Sequence, residues 1–521
     1  MSLFGYDRRL SRRSVVAGSL ALVGAVVAAC GPAATPTPVP AKPTTAPAPA
    51  APAAPPAAAP AATTAPVATK PAEATKPAAA PAAPTAAPAV ATKPAAAAPA
   101  AAAPAGAAVV TVMYTDWSDG DPTPKFYGAY LKAFEEKNPG IKVVRQEIPR
   151  TDLHTKQLAL AATGQIGDLV RINVAVNTIE MVNKGVLQSV TPGINRDTVW
   201  NQAEFKQFWP GNLANYTIKG EQWGFPLVGH PGQVQYYTNV DLLTKLGAKL
   251  PVEDGKWTIA QALDIWKLAT ISSGGRTTAY GVQLGYGGEG TVGILRAFKG
   301  NFYNDEGTQA LVGSKESIEG LTYMADLLNK HKVVPAYDPK FNAAEAFLGG
   351  QIAMEVSTSG RAGTYRIGAK DKFKWVILPP PIGPSGQFET QVSSDGMGMT
   401  KASKNPEKAW EVLKMHISKD HGVKRHIVGL GSPGSRYDVW TDPEFKAFQP
   451  ELAGLIFNTL VDPVKAPPIK KWSQPANGRY EEANTTINSI LEDVWLGKKK
   501  PEEGAADAQK AAEAILAKPA Q

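Results

Sequence analysis

The sequence has little cysteine and little net charge. Its 521 residues include one cysteine, and 54 lysines and arginines face 46 aspartates and glutamates. A single cysteine excludes an intrachain disulfide and any zinc or iron–sulfur site built from several cysteines. Residues 1–107 hold eight basic and two acidic residues, so residues 108–521 keep 46 basic against 44 acidic, a net charge of +2. A body this close to neutral argues against a nucleic-acid partner.

Motifs for catalysis and metal binding are also missing. Gly429–Gly434 has the spacing of a dinucleotide-binding loop, but it lies far from an opening strand–helix–strand unit and contains a proline. There is no Gly-x-Ser-x-Gly nucleophile motif. His416, His421 and His426 recur every five residues, which would scatter them around one helix. We therefore expect no catalytic residue, no metal and no cofactor.

The first 29 residues have the layout of an export signal. Arg12 and Arg13 precede a 15-residue apolar stretch, Val15 to Ala29, that ends in small residues. At ~1.5 Å per residue this stretch spans about 22 Å as a helix, less than the roughly 30 Å of a bilayer core. Residues 1–29 are therefore predicted to be a cleaved signal peptide. The paired arginines favour the twin-arginine export route, although general secretory signals also contain such pairs.

The lone cysteine, Cys30, follows this stretch in the sequence Val-Ala-Ala-Cys-Gly. The segment resembles the lipobox of bacterial lipoproteins, in which the cysteine is diacylated and becomes the mature N-terminus. Small residues before the cysteine suit the signal peptidase, and the thiolate is the nucleophile that takes the lipid. We therefore predict lipidation at Cys30, with two or three acyl chains anchoring the protein to the extracytoplasmic face of the bacterial cell membrane.

Residues 30–107 are predicted to be a disordered linker. After Cys30 the segment is almost entirely alanine, proline and threonine, and it contains 20 of the 45 prolines. Because it has almost no large apolar side chains, it cannot bury a core. At ~3.1 Å per residue, its 77 residues after the cysteine reach at most about 240 Å. An O-glycosylated stalk is the alternative, with the same mechanical role.

Residues 108–521 alternate between strand and helix patterns. Val109–Tyr114 reads as a strand, Thr123-Pro124 as the N-cap and first residue of a helix, and Ile141–Val144 as the next strand. This order predicts a strand–helix–strand unit with parallel pairing. A capping box, Thr258-x-x-Gln261, and the pair Asn405-Pro406 mark further helix starts. The fold class is therefore α/β.

Several sequence segments occur together in the order typical of one protein family. They are Phe134–Val143, Leu158–Val170, Gly185–Gln188, Trp223–Pro226, Tyr237–Leu243, Ala346–Met354 and Lys404–Trp410. As an ordered set they resemble the family 1 extracellular solute-binding proteins of ABC importers, the sugar-binding group that includes maltose-binding protein. Each segment alone is weak, and none identifies the ligand.

The resemblance implies a two-lobed periplasmic-binding-protein-like fold that closes on a solute between its lobes. The expected lobes are an N-terminal lobe of residues 108–230 and 391–436, and a C-terminal lobe of residues 231–390 and 437–521. Crossovers are expected near Gly229–Gln235, Pro380–Ser394 and Arg436–Pro443.

Candidate solute contacts follow strand ends, where open α/β sheets bind ligands, or lie in the expected crossovers and late loops. Sugars call for aromatic faces to stack on and for planar polar groups to bond hydroxyls. The candidates are Asp116, Trp117, Asn173, His230, Gln233, Tyr286, Ser359, Arg361, Arg436 and Trp472. Family members often place an acid in the first crossover, which here reads His-Pro-Gly-Gln, so the resemblance does not specify a maltodextrin.

The function that the resemblance implies is solute capture for a membrane permease. The expected protein is a monomeric substrate-binding lipoprotein of an ABC importer that binds a mono- or oligosaccharide and performs no chemistry. Two alternatives stay open. An extracellular carbohydrate-active enzyme would need two carboxylates facing each other across the cleft. A solute sensor or structural wall protein would use the same fold without a permease.

Overall fold

The computed structural model describes residues 108–117, 122–173, 177–232, 234–467 and 470–519. The predicted signal peptide, Cys30, the linker and Gln233 lie outside these ranges. The described residues belong to one compact unit that spans residues 98–521. Within the described ranges, no helix has the length and apolar character needed to cross a bilayer.

The described strands and helices alternate along the chain. The strands are β1 Val110–Asp116, β2 Ile141–Glu147, β3 Leu169–Ile172, β4 Leu187–Gln188, β5 Thr217–Ile218, β6 Glu221–Gln222, β7 Gly224–Pro226, β8 Gln235–Asn239, β9 Ile271–Ser273, β10 Arg276–Gln283, β11 Ile352–Ser357, β12 Trp375–Leu378 and β13 Gly396–Thr400. The helices are α1 Pro122–Lys137, α2 Leu153–Ala162, α3 Asn177–Asn183, α4 Thr191–Arg196, α5 Thr198–Ala203, α6 Pro210–Ala214, α7 Val240–Lys245, α8 Ile259–Ala269, α9 Gly288–Leu295, α10 Lys315–Ala325, α11 Ala343–Leu348, α12 Arg361–Ala369, α13 Pro406–His416, α14 Lys419–Ile427, α15 Tyr437–Trp440, α16 Pro443–Phe448, α17 Tyr480–Trp495 and α18 Pro501–Leu516. Short 3₁₀ turns occupy Arg150–Asp152, Phe205–Gln207 and Arg296–Phe298, and π-helical segments occupy Asp326–Lys330 and Leu452–Val461.

The first sheet has the strand order β2-β1-β3-β13-β4, with β7 also paired to β13. Strands β1 and β2 pair in parallel along their full length, as predicted from the sequence. Strand β13 comes from late in the chain and inserts antiparallel between β3 and β4. The sheet is therefore assembled from two separate stretches of the chain, residues 110–226 and residues 396–400.

The second sheet has the strand order β12-β8-β11-β10-β9 and uses residues 235–378. Strand β8 is antiparallel to both of its neighbours, whereas β10 and β11 run parallel. The chain thus leaves the first sheet after β7, builds the second, and returns to the first at β13. The two segments that make these passages contact each other, because the backbone N–H of His230 donates to the carbonyl of Ser393 at 3.2 Å.

Local sequence signals explain where several helices begin. Helix α8 has the predicted capping box, in which the side chains of Thr258 and Gln261 each bond the other's backbone N–H. Helix α13 begins at Pro406, as predicted. Helix α1 begins at Pro122, so the prediction that Thr123 caps it is wrong. Thr123 and Pro124 lie in the first helical turn, where a proline is tolerated because the N–H groups there have no partner within the helix.

The prediction that His416, His421 and His426 scatter around one helix is also wrong. The three histidines do not share one helix, because Ser418 lies between α13 and α14. Its side chain accepts a hydrogen bond from the backbone N–H of His421 and caps the start of α14. His416 closes α13, and the bend brings the His416 and His421 rings to 5.3 Å. All three histidines are buried. No group of metal-binding side chains is found among the described residues.

Each sheet has an apolar core of its own. In the first sheet, Val112 and Leu169 are buried together with Trp410 from α13. Under the second sheet, Trp266 from α8 packs beside Ile487 and Ala508 from α17 and α18. A further cluster lies around Tyr237 and Trp440. The cores fix both sheets, so the loops that leave the strand ends are held in defined positions.

Candidate solute-binding cleft

Residues from both sheets line a cavity of about 220 Å³. Its lining residues are Trp117, Arg150, Arg171, Val228, His230, Ser357, Thr358, Gly360, Arg361, Asp395, Arg425, Gly431 and Ser432. Trp117 and Arg150 follow strands β1 and β2 of the first sheet, while Ser357 and Arg361 come from the end of β11 and the start of α12 beside the second. Larger hollows exist, such as the one of about 580 Å³ along residues 247–268. That hollow is lined by a single stretch of chain on one side of the molecule.

Three of the predicted contact residues line this cavity, and a fourth lies behind its wall. Trp117, His230 and Arg361 are lining residues. Ser359 lies immediately behind the wall, where its hydroxyl donates to the carbonyl of Gly229 at 3.0 Å and lies 3.2 Å from the Ser432 hydroxyl. The structure therefore brings together residues separated by more than 240 positions in the sequence.

Arg171, which lines the cavity, is the centre of a buried ion-pair network. Its guanidinium lies 3.3 Å from the carboxylate of Asp116 and 3.2 Å from that of Asp395. Asp116 also pairs with Arg145 at 3.2 Å and accepts from the backbone N–H of Trp117 at 2.8 Å. Because Asp116 is only 1% exposed, the predicted contact residue Asp116 is placed as a support for two arginines and lies beneath the cavity surface.

The Trp117 ring is covered by guanidinium groups. The Arg171 guanidinium carbon lies 3.7 Å from the ring centroid, and that of Arg150 lies at 4.8 Å. Such cation–π contacts stabilise a pair by about 0.5 to 2 kcal/mol, and more when water is excluded. Trp117 is only 2% exposed. The geometry makes Trp117 a platform that orients arginines, which differs from the sugar-stacking role that the sequence suggested.

His230 is held in its neutral form at the back of the cavity. Its Nδ1 lies 3.0 Å from the Ser432 hydroxyl and 3.4 Å from the Ser359 hydroxyl. Burial lowers the pKa of His230 to about 4, because the charged imidazolium would lose its water and the nearby Arg150 repels it, although Asp395 acts in the opposite direction. At neutral pH this side chain is therefore a hydrogen-bonding group without charge.

A buried glutamate, Glu355, and a half-buried one, Glu289, adjoin the cleft. Glu355 on β11 pairs with Arg361 at 3.3 Å, and burial nevertheless raises the pKa of Glu355 to about 7. Glu289 on α9 accepts from the Ser393 hydroxyl at 2.9 Å. Burial raises the pKa of Glu289 to about 7 as well, with the charge of Asp395 acting in the same direction. Each of the two carboxyl groups is therefore partly protonated near neutral pH.

The other described candidates do not line the cavity. Asn173 is half-buried after β3, and Tyr286 packs against Tyr337 and Trp495, with ring centroids 5.8 and 5.1 Å away. Trp472 is buried in the core of the second sheet. Arg436 bonds Glu204 and Asp438, both at 2.6 Å, and stacks on Phe208 with its guanidinium carbon 5.1 Å from the ring centroid. The structure thus gives Arg436 and Trp472 packing partners away from the cleft.

Several lining residues were not among the sequence candidates. Those with charged or hydroxyl side chains include Arg150, Arg171, Asp395, Arg425 and Ser432. One signal was available for Arg171, because a lone arginine inside the apolar run Leu-Val-Arg-Ile is costly to bury unless it has partners. Ser432 lies in the glycine-rich loop whose spacing imitates a dinucleotide motif. That loop contributes Gly431 and Ser432 to the cleft wall, and it does not open a helix after a strand.

A cavity lined from two sheets, with the connecting segments side by side behind it, defines a two-lobed α/β binding protein, which confirms the predicted fold class. Comparison with solved structures agrees. An ABC substrate-binding protein from Listeria monocytogenes in complex with cycloalternan matches with a TM-score of 0.65 and 20% identity, over 78% of this chain and 98% of that one. A maltose-bound protein from Thermotoga maritima matches with a TM-score of 0.62 and 20% identity, over 78% of this chain and 99% of that one.

Sequence comparison identifies the family. The family model described as bacterial extracellular solute-binding protein matches residues 129–451. A Brucella abortus protein named only as a binding protein is 26% identical over 409 residues, which are 76% of this chain and 91% of that protein. The arabinooligosaccharide-binding protein of Bacillus subtilis is 22% identical over 64% of this chain and 75% of that protein. The chain belongs to the bacterial extracellular solute-binding proteins.

Proposed function

We propose that this protein is the substrate-binding lipoprotein of an ABC importer and captures a mono- or oligosaccharide outside the cytoplasm. The observation that carries the proposal is the cavity lined from both sheets. A solute there touches both sides of the molecule, and only such a solute favours a closed state over an open one. The named saccharide-binding relatives support a carbohydrate as the solute.

We propose lobe boundaries at the two passages between the sheets and at a third crossover near Arg436–Pro443. Residues 108–230 and 391–436 form one lobe, and residues 231–390 and 437–521 form the other. The passages are tied together by backbone hydrogen bonds, from Leu227 N–H to the Asp395 carbonyl at 2.8 Å and from His230 N–H to the Ser393 carbonyl at 3.2 Å. Hinges of this kind are a few residues between rigid elements. Closure about this pair would carry Arg150 and Arg361 towards each other.

Closure is testable because Cys30 is the only cysteine. In a Cys30→Ala background, Lys132→Cys on α1 and Lys267→Cys on α8 introduce labels at exposed positions beside the two sheets. We expect electron–electron distance measurements to show a shorter separation when solute is added. A matched pair at Lys132 and Lys408, both beside the first sheet, should not change. An unchanged separation between 132 and 267 at saturating solute would refute closure.

The solute class is found by a thermal-shift screen of the full chain against sugars, oligosaccharides, peptides and polyamines. A ligand that binds the folded state raises the melting temperature by linkage, by about 2.7 kcal/mol of stability at one hundred times its dissociation constant. We expect saccharides to give the shifts. A screen in which only peptides or polyamines stabilise the protein would overturn the carbohydrate assignment and leave a binding protein for another solute.

We propose that the protein binds its solute without chemical change. Among the described residues that line the cavity, Asp395 is the sole carboxylate. The enzymatic alternative needs a second acid, for which Glu289 is the candidate because its pKa is raised to about 7 and Ser393 connects it to the cleft. Chromatography of a bound oligosaccharide after prolonged incubation should return it intact. Hydrolysis products that disappear in Glu289→Gln would establish the enzyme instead.

The membrane anchor is proposed from the sequence around Cys30. We expect Cys30→Ala to release the protein from membranes into the soluble fraction, whereas Thr35→Ala, five residues further on, should leave it membrane-bound. Mass spectrometry of the mature N-terminal peptide should show a diacylglyceryl group on the cysteine. Full membrane retention of Cys30→Ala would contradict lipidation.

A further inference from the structure

We propose that the solute is an acidic saccharide, whose carboxylate or phosphate group is bound by Arg150 and Arg361 from opposite sides of the cleft. The inference rests on the proposed function, because it names the class of saccharide for the same cavity. It goes beyond the family assignment, which specifies a solute-binding protein and no charge for the solute.

The charge of the cavity lining is the first observation. Four arginines, at positions 150, 171, 361 and 425, line the cavity together with one carboxylate, Asp395. The acids that balance some of these arginines lie underneath the surface. Asp116 and Glu355 are 1% and 2% exposed, so a solute meets the guanidinium groups before it meets those carboxylates.

Arg150 differs from the other arginines of the lining. Arg171 is saturated by Asp116 and Asp395, and Arg361 has Glu355 at 3.3 Å. Arg150 is exposed, and its guanidinium carbon lies 4.8 Å from the centroid of the Trp117 ring. In the part of the chain that the structure describes, no carboxylate forms an ion pair with it. Arg150 therefore holds a guanidinium at the cavity whose charge is available to a solute.

The two arginines proposed to bind the anionic group come from different sides of the molecule. Arg150 opens the short 3₁₀ turn after β2 of the first sheet. Arg361 opens α12, directly after β11 of the second sheet, and 37% of its side chain is exposed. An anionic group between them would contact both sides and thus favour closure. Guanidinium groups bond carboxylates and phosphates through two parallel N–H donors, which fixes orientation as well as charge.

The second observation is the lack of an open aromatic face. Among the described residues that line the cavity, Trp117 is the only tryptophan, tyrosine or phenylalanine, and guanidinium groups already lie against its ring. A neutral sugar gains much of its affinity by stacking on such a face. The cleft therefore presents charged guanidinium groups in place of the exposed aromatic ring that a neutral-sugar site would present.

The test is a comparison of matched neutral and acidic saccharides by calorimetry at low and moderate salt. The probes are glucose, glucuronate and glucose 6-phosphate, together with short oligomers of galactose and of galacturonate, and inorganic phosphate alone. The uronate and phosphate arms distinguish the two sources of the anionic group. We expect an acidic probe to bind at least about tenfold more tightly than its neutral counterpart, because hydrogen bonds to charged groups are stronger than neutral ones.

The variants are Arg150→Gln in the cleft and Arg276→Gln as a matched control, since Arg276 is an exposed arginine at the start of β10, away from the cavity. We expect Arg150→Gln to lower the ratio of acidic-probe affinity to neutral-probe affinity about tenfold or more. Arg276→Gln should leave that ratio unchanged. Circular dichroism of both variants checks that the fold is kept.

Each outcome decides between the inference and the proposed function. Neutral sugars that bind as tightly as their acidic counterparts would overturn the acidic solute and leave the proposed function intact. An acidic preference that survives Arg150→Gln would overturn the assignment of the residue. Phosphate alone binding as tightly as a sugar phosphate would show an anion site and overturn saccharide recognition there. Binding of no saccharide at all would overturn the proposed function, and with it this inference.

Discussion

Replacing Arg171 by methionine should strongly destabilise the folded part of the chain, residues 108–521, because it removes the shared ion-pair partner of two carboxylates. Arg171 is 1% exposed and lies 3.3 Å from Asp116 and 3.2 Å from Asp395. Asp116 keeps Arg145 at 3.2 Å. Asp395 has no other ion-pair partner among the described residues. Breaking a buried ion pair on one side costs about 3 to 5 kcal/mol, since it leaves the carboxylate of Asp395, whose side chain is only 13% exposed, without its partner.

The expected shift in melting temperature follows from the size of the body. At about 2.1 cal/mol/K per residue, some 410 residues unfold with an entropy of about 0.9 kcal/mol/K. A loss of 3 to 5 kcal/mol therefore lowers the melting temperature by about 3 to 6 °C. Scanning calorimetry measures this shift, and urea titration gives the same comparison at constant temperature.

Arg361→Met is the matched control, because it removes one guanidinium from the other side of the same cavity. Arg361 is partly exposed and has one carboxylate, Glu355. Since burial already raises the pKa of Glu355 to about 7, that carboxyl can take up a proton when its partner is removed. We therefore expect a loss of at most about 1 kcal/mol, or about 1 °C.

A double mutant separates the orphaned charge from other effects of the substitution. Adding Asp395→Asn to Arg171→Met should recover about 1 to 3 kcal/mol, because the uncompensated carboxylate is gone. Two results would refute the reasoning. One is an Arg171→Met protein within 1 °C of the unaltered one, and the other is strict additivity of the two substitutions, since both would mean that the network stores no coupling.

Two further predictions concern the core and a turn. His416→Phe should gain stability relative to the unaltered protein as pH falls from 7 to 5, by about 2 kcal/mol. Burial lowers the pKa of folded His416 to about 3, so only the unfolded chain takes up the proton below pH 6.5. Urea titrations at both pH values measure the gain, and a constant difference would contradict it. Gly307→Ala should fail to fold or lose several kcal/mol, because its Cβ would collide with the backbone carbonyl of Gln474 at a φ of +66°. Gly350→Ala has a similar φ of +72° but open space, so calorimetry should show a loss of about 1 kcal/mol.

Local signals predicted the fold well where the decisive contacts are short-range. The capping box at Thr258, the helix start at Pro406 and the parallel pairing of β1 with β2 all depend on residues close in sequence or on a single strand–helix–strand unit. The error at His416 and His421 has the same origin. The sequence pattern assumed one continuous helix, and Ser418, a strong N-cap residue, was the signal that it breaks there.

The cleft could be predicted only in part, because its chemistry depends on contacts between distant segments. Trp117 and Arg361 were predicted from their places after strand ends. Arg171 and Arg150 cover the Trp117 ring because three separate segments of the chain meet there. No local sequence pattern predicts such a contact. Likewise, the sequence placed Arg436 in a loop where it could contact a solute. Only the structure shows that its guanidinium forms ion pairs with Glu204 and Asp438.

The position of His230 connects solute binding to the passages between the sheets. Its backbone bonds Ser393 in the returning passage, while its ring faces the Ser432 hydroxyl in the cleft wall. Ser393 in turn donates to Glu289 on α9, beside the second sheet. A solute that bonds the His230 ring would therefore contact one passage at the residue whose backbone is bonded to the other. If the proposed function holds, the passage that contains His230 is both a hinge and part of the binding surface. Solute contacts can then favour closure at the hinge as well as at the arginines across the cleft.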